Sequence, residues 1–200
     1  GEEKIAGGIL RTLEKIKKAK IKLIYIIRDE DLLSEEVKKQ QRAIGKILQN
    51  YARSALFEDI CLIDEKMFKE SFMPEVSLFE YDKVFSQTLA KMINMVNWLK
   101  SEEPFHSDIE EPNEACRVNS LGVFADAEEK IVFPLDNVRQ KDVYFACSKQ
   151  TLKTDTELLE KIKETLKKMK REEVKVEYKI VATDYEQDFV YLLYHTNFIQ

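Results

Sequence analysis

Residues 76–100 carry the longest helix-period pattern of apolar residues in this sequence. One apolar set recurs at helical spacing, and a second set widens the stripe until only a narrow polar strip remains. The two sets are Leu78, Tyr81, Phe85, Leu89, Met92, Val96 and Leu99, and Val84, Ile93, Met95 and Trp98. A helix of this length would span roughly 35 Å and would have to be covered on more than one side. The segment therefore predicts a long core helix around which the chain is organised.

Helix patterns and short apolar runs alternate before this segment. Residues 5–16 place their apolar side chains on one helix face, and residues 21–27 form a near-continuous apolar run that predicts a strand buried on both faces. Ser34 is placed to cap a second helix, and the run ICLI at 60–63 predicts a second buried strand that ends at Asp64. This alternation predicts a parallel three-layer α/β unit. Residues 64–75 are expected to form a loop or a short helix.

The pattern changes after residue 100. Residues 101–114 hold two prolines and six carboxylates, which predicts an exposed polar loop. Strand patterns follow at 120–126 and 142–147, and Thr154 and Glu157 have the spacing of a capping box before another helix. The alternation over 174–182 predicts a half-exposed strand that turns into the last one. Together these elements predict a smaller α+β unit with a mixed sheet.

The predicted fold is therefore α/β, with a parallel three-layer sheet half joined by the long central helix to a smaller mixed-sheet domain. The expected regions are a partial α/β domain over 1–75, the core helix over 76–100 and an α+β domain over 101–200. The chain starts without methionine and enters a helical pattern at once, so we expect it to be a piece that begins inside a domain.

Composition excludes several kinds of function. The net charge of -5 argues against direct nucleic-acid binding, which usually needs a basic face. No apolar run has the length of a membrane span and no signal peptide opens the chain, so a cytoplasmic location is expected. Cys61, Cys116 and Cys147 lack a metal or disulfide spacing and are expected to be buried thiols. His106 and His195 have no matching ligand set, so no zinc site is expected.

The order of these elements resembles the tubulin/FtsZ family of cytoskeletal GTPases over nearly the whole chain. IKLIYIIRDEDLLSEEVKKQQRA resembles the family's strand, loop and helix, and ICLIDEKMF resembles the strand that closes with a polar loop. DVYFACS and KVEYKIVATDYEQDFVYLLYHTNF resemble the activation domain. The divergent segment 116–137 favours the plasmid and phage TubZ-like branch over cell-division FtsZ. The resemblance covers the part from the end of the glycine-rich phosphate loop to the activation domain.

The resemblance implies a catalytic acid loop after the core helix. The run SDIEE places Asp108 and Glu111 three residues apart, and in the family this loop enters the nucleotide pocket of the next subunit along a filament. Two carboxylates on a loop can orient the attacking water in phosphoryl transfer or help to place Mg²⁺. The family usually has Asn before the first acid, where this chain has His106 and Ser107. A solvated acidic loop without a catalytic role is the alternative.

The resemblance also implies contacts with guanine nucleotide. Gly1 would end the glycine-rich loop, and Glu35 and Lys39 keep the acid–base spacing of the helix that touches the ribose. Phe79 and Asp82 would meet the base, where a carboxylate can accept protons that guanine presents and adenine does not. No GGGTGTG-like sequence and no P-loop occurs, so the chain by itself is expected to bind GTP or GDP poorly.

The implied function is a GTPase that needs Mg²⁺ and assembles head to tail into dynamic filaments. Its expected role is to position plasmid or phage DNA through a DNA-binding adaptor protein, without direct contact with nucleic acid or membrane. A non-catalytic protein-interaction module, a flavodoxin-like small-ligand enzyme and an FtsZ-type cell-division protein remain as alternatives. A glycine-rich loop encoded just upstream of Gly1 would favour the filament-forming GTPase over the interaction module and the flavodoxin-like enzyme.

Overall fold

Helices and strands alternate along the described part of the chain. The computed structural model describes residues 12, 15–16, 20–73, 75–77, 79–110 and 116–200. The strands are β1 (Lys22–Ile27), β2 (Asp59–Asp64), β3 (His106–Ser107), β4 (Val118–Ala125), β5 (Glu128–Ile131), β6 (Val138–Ser148), β7 (Lys175–Thr183) and β8 (Phe189–Thr196). The helices are α1 (Glu35–Arg53), α2 (Glu65–Phe72), α3 (Tyr81–Ser101), α4 (Lys149–Thr154) and α5 (Leu158–Met169). Most of the helix predicted over residues 5–16 lies outside the described residues.

All of these strands belong to one sheet with the order β1-β2-β4-β8-β6-β7-β3, and β5 pairs with β4. β1, β2, β4, β6 and β7 run in one direction, and β8 runs antiparallel to both β4 and β6. The parallel half joins the mixed half where Ile60 of β2 lies opposite Val118 of β4. The predicted α/β class, with a parallel and a mixed part, is confirmed. Below, the amino edge is where the five parallel strands begin, and the carboxyl edge is where they end.

Helices cover both faces of the sheet and give the predicted three layers. α1 packs through Leu48 and Ala52 on the parallel half, and α5 packs through Ile162 and Met169 on the mixed half, both on the same face. α2 and α3 lie on the other face. Side chains of α3 share one core with residues of β2, β4, β6, β7 and β8. This long helix therefore lies across one continuous sheet and contacts both of its halves.

The core helix is shorter than its apolar pattern. α3 begins at Tyr81, five residues later than position 76, so Phe79 precedes the helix instead of belonging to it. Its buried face consists of Phe85, Leu89, Met92, Val96 and Leu99. The second apolar set, which includes Ile93 and Trp98, is partly buried along the flanks of this face. The wide stripe is thus explained by a deep central contact with the sheet and two shallower flanks.

Two predictions about strand burial are wrong. β1 is the outermost described strand of the sheet, so Ile24 and Ile26 are 45% and 38% exposed instead of buried. β7 is not half-exposed, because Glu177 and Lys179 are only 5% and 7% exposed. The segment that follows α3 pairs with β7, and the end of α3 covers this face. Neither outcome follows from alternation within a strand, because each depends on a neighbouring element.

The helix caps agree only in part with the sequence. Ser34 caps α1 as predicted, since its hydroxyl accepts the Val37 N–H at 3.4 Å. Asp64 caps α2 by accepting the Met67 N–H at 2.8 Å, so the residues after β2 form the short helix rather than the loop. The capping box is wrong. Thr154 ends α4 and donates its hydroxyl to the Gln150 oxygen, and α5 begins after Glu157 without a side-chain cap.

Candidate functional site

An acidic cluster at the carboxyl edge joins the starts of α2 and α3 to the end of β1. The Glu65 carboxylate accepts hydrogen bonds from the Asp29 N–H and from the Tyr81 hydroxyl, each at 3.2 Å. Lys66 donates to Asp31 at 2.5 Å and ties the turn after β1 to α2. Burial, followed by the charge of Glu65, raises the pKa of Tyr81 to about 12, so its hydroxyl stays a donor. The hydrogen bond from Tyr81 to Glu65 therefore holds the first residue of α3 against the start of α2.

Four of the residues assigned to nucleotide by resemblance lie on elements that begin at this edge. Phe79 is 99% exposed just before α3, and Asp82 is exposed in the first turn of that helix. Glu35 and Lys39 are exposed in the first turns of α1, and Glu35 accepts a hydrogen bond from Lys38 at 2.7 Å. Gly1 lies outside the described residues. The four side chains therefore face solvent around one edge of the sheet.

The predicted acid loop is exposed but anchored. The Asp108 N–H donates to the Tyr178 oxygen at 3.1 Å, and the Asp108 carboxylate accepts the Tyr178 N–H at 2.5 Å. Just before it, His106 and Ser107 form β3 against β7. Glu110 accepts from Lys175 at 2.7 Å, and this contact lowers the pKa of Glu110. Glu111 lies outside the described residues. The loop therefore holds Asp108 in a fixed place on the mixed half of the sheet.

The two groups of assigned residues lie at opposite ends of α3. Asp82 is in its first turn at the carboxyl edge, whereas Asp108 follows its last turn and lies beside the amino half of β7. A helix of 21 residues is about 31 Å long. Asp82 and Asp108 of one chain therefore cannot contact the same small ligand.

A cavity that the sequence analysis did not find lies at the amino edge, below the end of α3. Its volume is about 660 Å³, and Asp59, Lys100, Asp142, Tyr144, Lys179 and His195 are among its lining residues. The His195 ring and the Asp142 carboxylate are buried and lie 2.9 Å apart between Nε2 and Oδ2. The sequence signals were the acids that open two apolar strand runs, Asp59 before ICLI and Asp142 before VYFAC. The apolar pattern of each strand does not show that Asp59 and Asp142 line the same cavity.

The cysteines are buried thiols, as the sequence predicted. No cluster of three or more His, Cys, Asp and Glu side chains suited to a metal ion occurs among the described residues. All three cysteines are free and buried, and burial raises the pKa of Cys61 and Cys147 to about 12. No helix in the described part of the chain combines the length and apolar character needed to span a bilayer.

The similarity of this chain to known proteins lies in its three-dimensional structure. No protein-family model matches the sequence, and no curated protein matches it. The FtsZ dimer of M. jannaschii superposes with a TM-score of 0.53 at 10% identity, over 96% of this chain and 68% of that chain. This chain has the tubulin/FtsZ fold. The fold predicted by resemblance is confirmed.

Plasmid-type members of this fold are also similar. TubZ of Bacillus thuringiensis serovar israelensis, in GDP-form protofilaments, matches at 11% identity and a TM-score of 0.58, over 95% of this chain and 55% of that chain. A TubZ described as a type III plasmid segregation protein matches at 9% identity and a TM-score of 0.60, over 96% of this chain and 60% of that chain. The chain therefore spans 55% to 68% of the length of these three tubulin/FtsZ-fold proteins.

Proposed function

We propose that this chain belongs to a GTPase that assembles head to tail into filaments. The tubulin/FtsZ fold supports this proposal, and several solved structures with this fold are described as protofilaments or filaments. A head-to-tail contact uses two different surfaces of each copy, so it continues without closing unless the rotation between copies forms a ring.

One observation carries the proposal. The exposed Phe79 and Asp82 lie at one end of α3, and the anchored Asp108 lies beyond its other end. A nucleotide at the carboxyl edge would therefore lie far from the acid loop of its own chain. Both groups act on one nucleotide only when the amino edge of one copy stacks on the carboxyl edge of the next. Hydrolysis would then depend on assembly.

The described residues at the carboxyl edge fit the base and sugar of a guanine nucleotide. The Phe79 ring is free to stack on a base, and Asp82 has an exposed carboxylate for the N1–H and amino group of guanine. Glu35 and Lys39 would contact the ribose. The sequence has no glycine-rich phosphate loop, and we assign no residue at this edge to the phosphates. Bound Mg²⁺ would supply charge neutralisation at the phosphates.

Asp108, with Glu111, would act in trans on the neighbouring copy. In phosphoryl transfer the protein mainly positions water and stabilises charge, so a carboxylate on a rigid loop suits this task. Two hydrogen bonds support such rigidity: the Asp108 N–H donates to the Tyr178 oxygen, and the Tyr178 N–H donates to the Asp108 carboxylate. The carboxylate is exposed, and one of its oxygens accepts the Tyr178 N–H while the other is available.

The cellular role that we propose is the positioning of plasmid or phage DNA in the cytoplasm. Structural similarity to a TubZ described as a plasmid segregation protein supports this role, and similarity to FtsZ of M. jannaschii supports cell division as the alternative. The net charge of -5 supports an adaptor protein as the link to DNA, because an acidic surface repels phosphates.

The test is GTP-dependent assembly of the full-length protein with its turnover measured in the same sample. With GTP and Mg²⁺ we expect filaments that sediment and then disassemble as phosphate is released. Asp108→Asn keeps an acceptor for the Tyr178 N–H and removes the charge. It should assemble normally and reduce turnover by about 100-fold, within the range of a lost general base. Asp108→Ala should also assemble and lock the filaments.

Glu103→Gln is the matched control, because Glu103 is an exposed acid of the same loop. Its turnover should equal that of the wild type. Normal turnover in Asp108→Asn filaments would show that the acid-loop assignment is wrong. A protein that stays monomeric at high concentration with GTP and Mg²⁺ would refute the filament function and favour the non-catalytic interaction module.

A further inference from the structure

The amino-edge cavity is separate from the base and sugar contacts proposed at the carboxyl edge, and Ser107, Ile109 and Glu110 of the acid loop are among its lining residues. It lies on the face of the sheet that α3 covers, just beyond the last turn of that helix. There the side chains on this face change from apolar to polar. Leu99 closes the apolar core, and Lys100 follows it into the cavity lining. A volume of about 660 Å³ is in the range of small-molecule sites.

Two hydrogen-bond donors in the lining have no partner among the described residues. Tyr144 is 2% exposed, yet its hydroxyl makes no hydrogen bond with any described group. Burial raises the pKa of Tyr144 well above the usual range, so the group remains a donor. Lys100 makes neither a hydrogen bond from its side chain nor an ion pair within the described structure, and burial lowers the pKa of this lysine. Both residues line the open cavity, so their donors are available to a ligand there.

The carboxylates in the lining do not satisfy these donors. Both oxygens of Asp142 are engaged, one by His195 at 2.9 Å and the other by Gln140 at 2.8 Å. Glu110 is paired with Lys175, and Glu58 lies 3.7 Å from Lys20. These contacts leave Asp59 as the acid in the lining without a described partner.

The lining has more positively charged side chains than the carboxylates in it can neutralise. Lys22 and Lys100 have no ion pair with a described residue, and Lys179 donates only to main-chain oxygens. Asp59 and the Asp142 carboxylate, whose partners are an amide and an imidazole, therefore stand against three ammonium groups without a carboxylate partner. This local excess of positive charge lies in a chain of net charge -5. An anion with several acceptor oxygens would satisfy the charge and the free donors together.

We propose that the amino-edge cavity binds a phosphate group through the Lys100 ammonium and the Tyr144 hydroxyl, with Lys22 adding positive charge. The buried His195–Asp142 pair, held by Gln140, keeps the floor of the cavity rigid. The group could be free inorganic phosphate or part of the phosphate chain of a nucleotide, and both have the same oxygen acceptors. The site does not depend on filament formation.

The test is calorimetric titration of the chain with inorganic phosphate and, separately, with pyrophosphate. Lys100→Met and Tyr144→Phe should each weaken binding by about tenfold, as expected for one hydrogen bond to a charged group. Lys91→Met on the exposed side of α3 and Tyr185→Phe at an exposed position are the controls and should bind like the wild type. Thermal unfolding without ligand checks that each variant is folded.

Tighter binding of pyrophosphate would identify the phosphate chain of a nucleotide as the source, and tighter binding of inorganic phosphate would identify the free ion. No binding of either anion at millimolar concentration would refute the proposal. Equal binding by the wild type and by folded Lys100→Met and Tyr144→Phe variants would refute it as well. If the full-length protein bound phosphate but did not assemble with GTP and Mg²⁺, only the filament function would be refuted.

Discussion

Lys179 of β7 donates its ammonium to the main-chain oxygen of Lys100 at 3.0 Å, and so caps the end of α3. The same ammonium donates to the Glu102 oxygen at 2.6 Å. The last carbonyls of a helix lack partners within the helix and carry partial negative charge, which a lysine neutralises. The contact holds the long helix against the mixed half of the sheet at the point where the acid loop begins.

Replacing Lys179 with Met should destabilise the protein by about 2 kcal/mol, because two main-chain carbonyls at the end of α3 would lose a charged donor. The measurement is urea denaturation followed by circular dichroism. Lys91→Met on exposed α3 surface should change stability by less than about 0.5 kcal/mol. If both variants unfolded at the same urea concentration, the cap would have no energetic role.

Tyr81 should make stability depend on alkaline pH. Its pKa in the folded chain is about 12, above the ordinary value of 10.0, so the unfolded chain releases the proton first. The contribution of this group is complete below pH 10 and should be lost as the pH rises towards 12. Denaturation midpoints between these two pH values should fall less in Tyr81→Phe than in the wild type.

A second variant separates the two causes of the raised pKa of Tyr81. Glu65→Gln removes the negative charge and leaves the burial, so the pKa of Tyr81 should fall part of the way. NMR of ¹³C-labelled tyrosine ring carbons follows this titration directly. An unchanged pKa in Glu65→Gln would show that the charge of Glu65 does not act on Tyr81. Tyr185→Phe should leave the Tyr81 signal unaltered.

The β4–β5 hairpin should be improved by a glycine. Asp126 and Ala127 form its two-residue turn with φ of 55° and 62°. An alanine is strained at such an angle, whereas glycine adopts it freely. Ala127→Gly should therefore raise the free energy of unfolding by about 0.5–1 kcal/mol. Ala125→Gly in the adjoining strand is the control and should lower it by about 0.5–1 kcal/mol; the same sign for both would contradict the strain argument.

Leu89 should be among the most sensitive positions of α3. It is 6% exposed in the core shared by the helix and the sheet. Leu89→Ala should cost about 3 kcal/mol through lost burial and the remaining cavity. Gln87→Ala on the exposed side should change stability by less than about 0.5 kcal/mol. Equal effects in urea denaturation would mean that α3 does not pack as described.

Local patterns in the sequence determined most of the elements. Helical spacing of Phe85, Leu89 and Met92 fixed the buried face of α3, and Ser34 fixed the start of α1, because both depend on residues within a few positions. The start of α3 did not follow from this spacing. Its apolar stripe extends back to Val76, whereas the helix begins at Tyr81. There the Tyr81 hydroxyl donates a hydrogen bond to Glu65 at the start of α2.

The candidate site depended still more on tertiary structure. The spacing of Asp108 and Glu111 and the exposed Phe79 and Asp82 were accessible from the sequence with the help of a family resemblance, and their roles stay predictions. The separation of these groups along α3 and the amino-edge cavity required the fold.

What the sequence by itself determined was the class of fold, the central helix and the acidic, cysteine-poor character of the chain. The tertiary structure decided which strands lie at the edges of the sheet and why Glu177 and Lys179 are buried. It also placed Asp142, Tyr144 and His195 in one cavity with Lys100. The physical reason is that periodicity records which face of an element is apolar. It does not record which distant element covers that face, and the charges of a site come together only through such contacts.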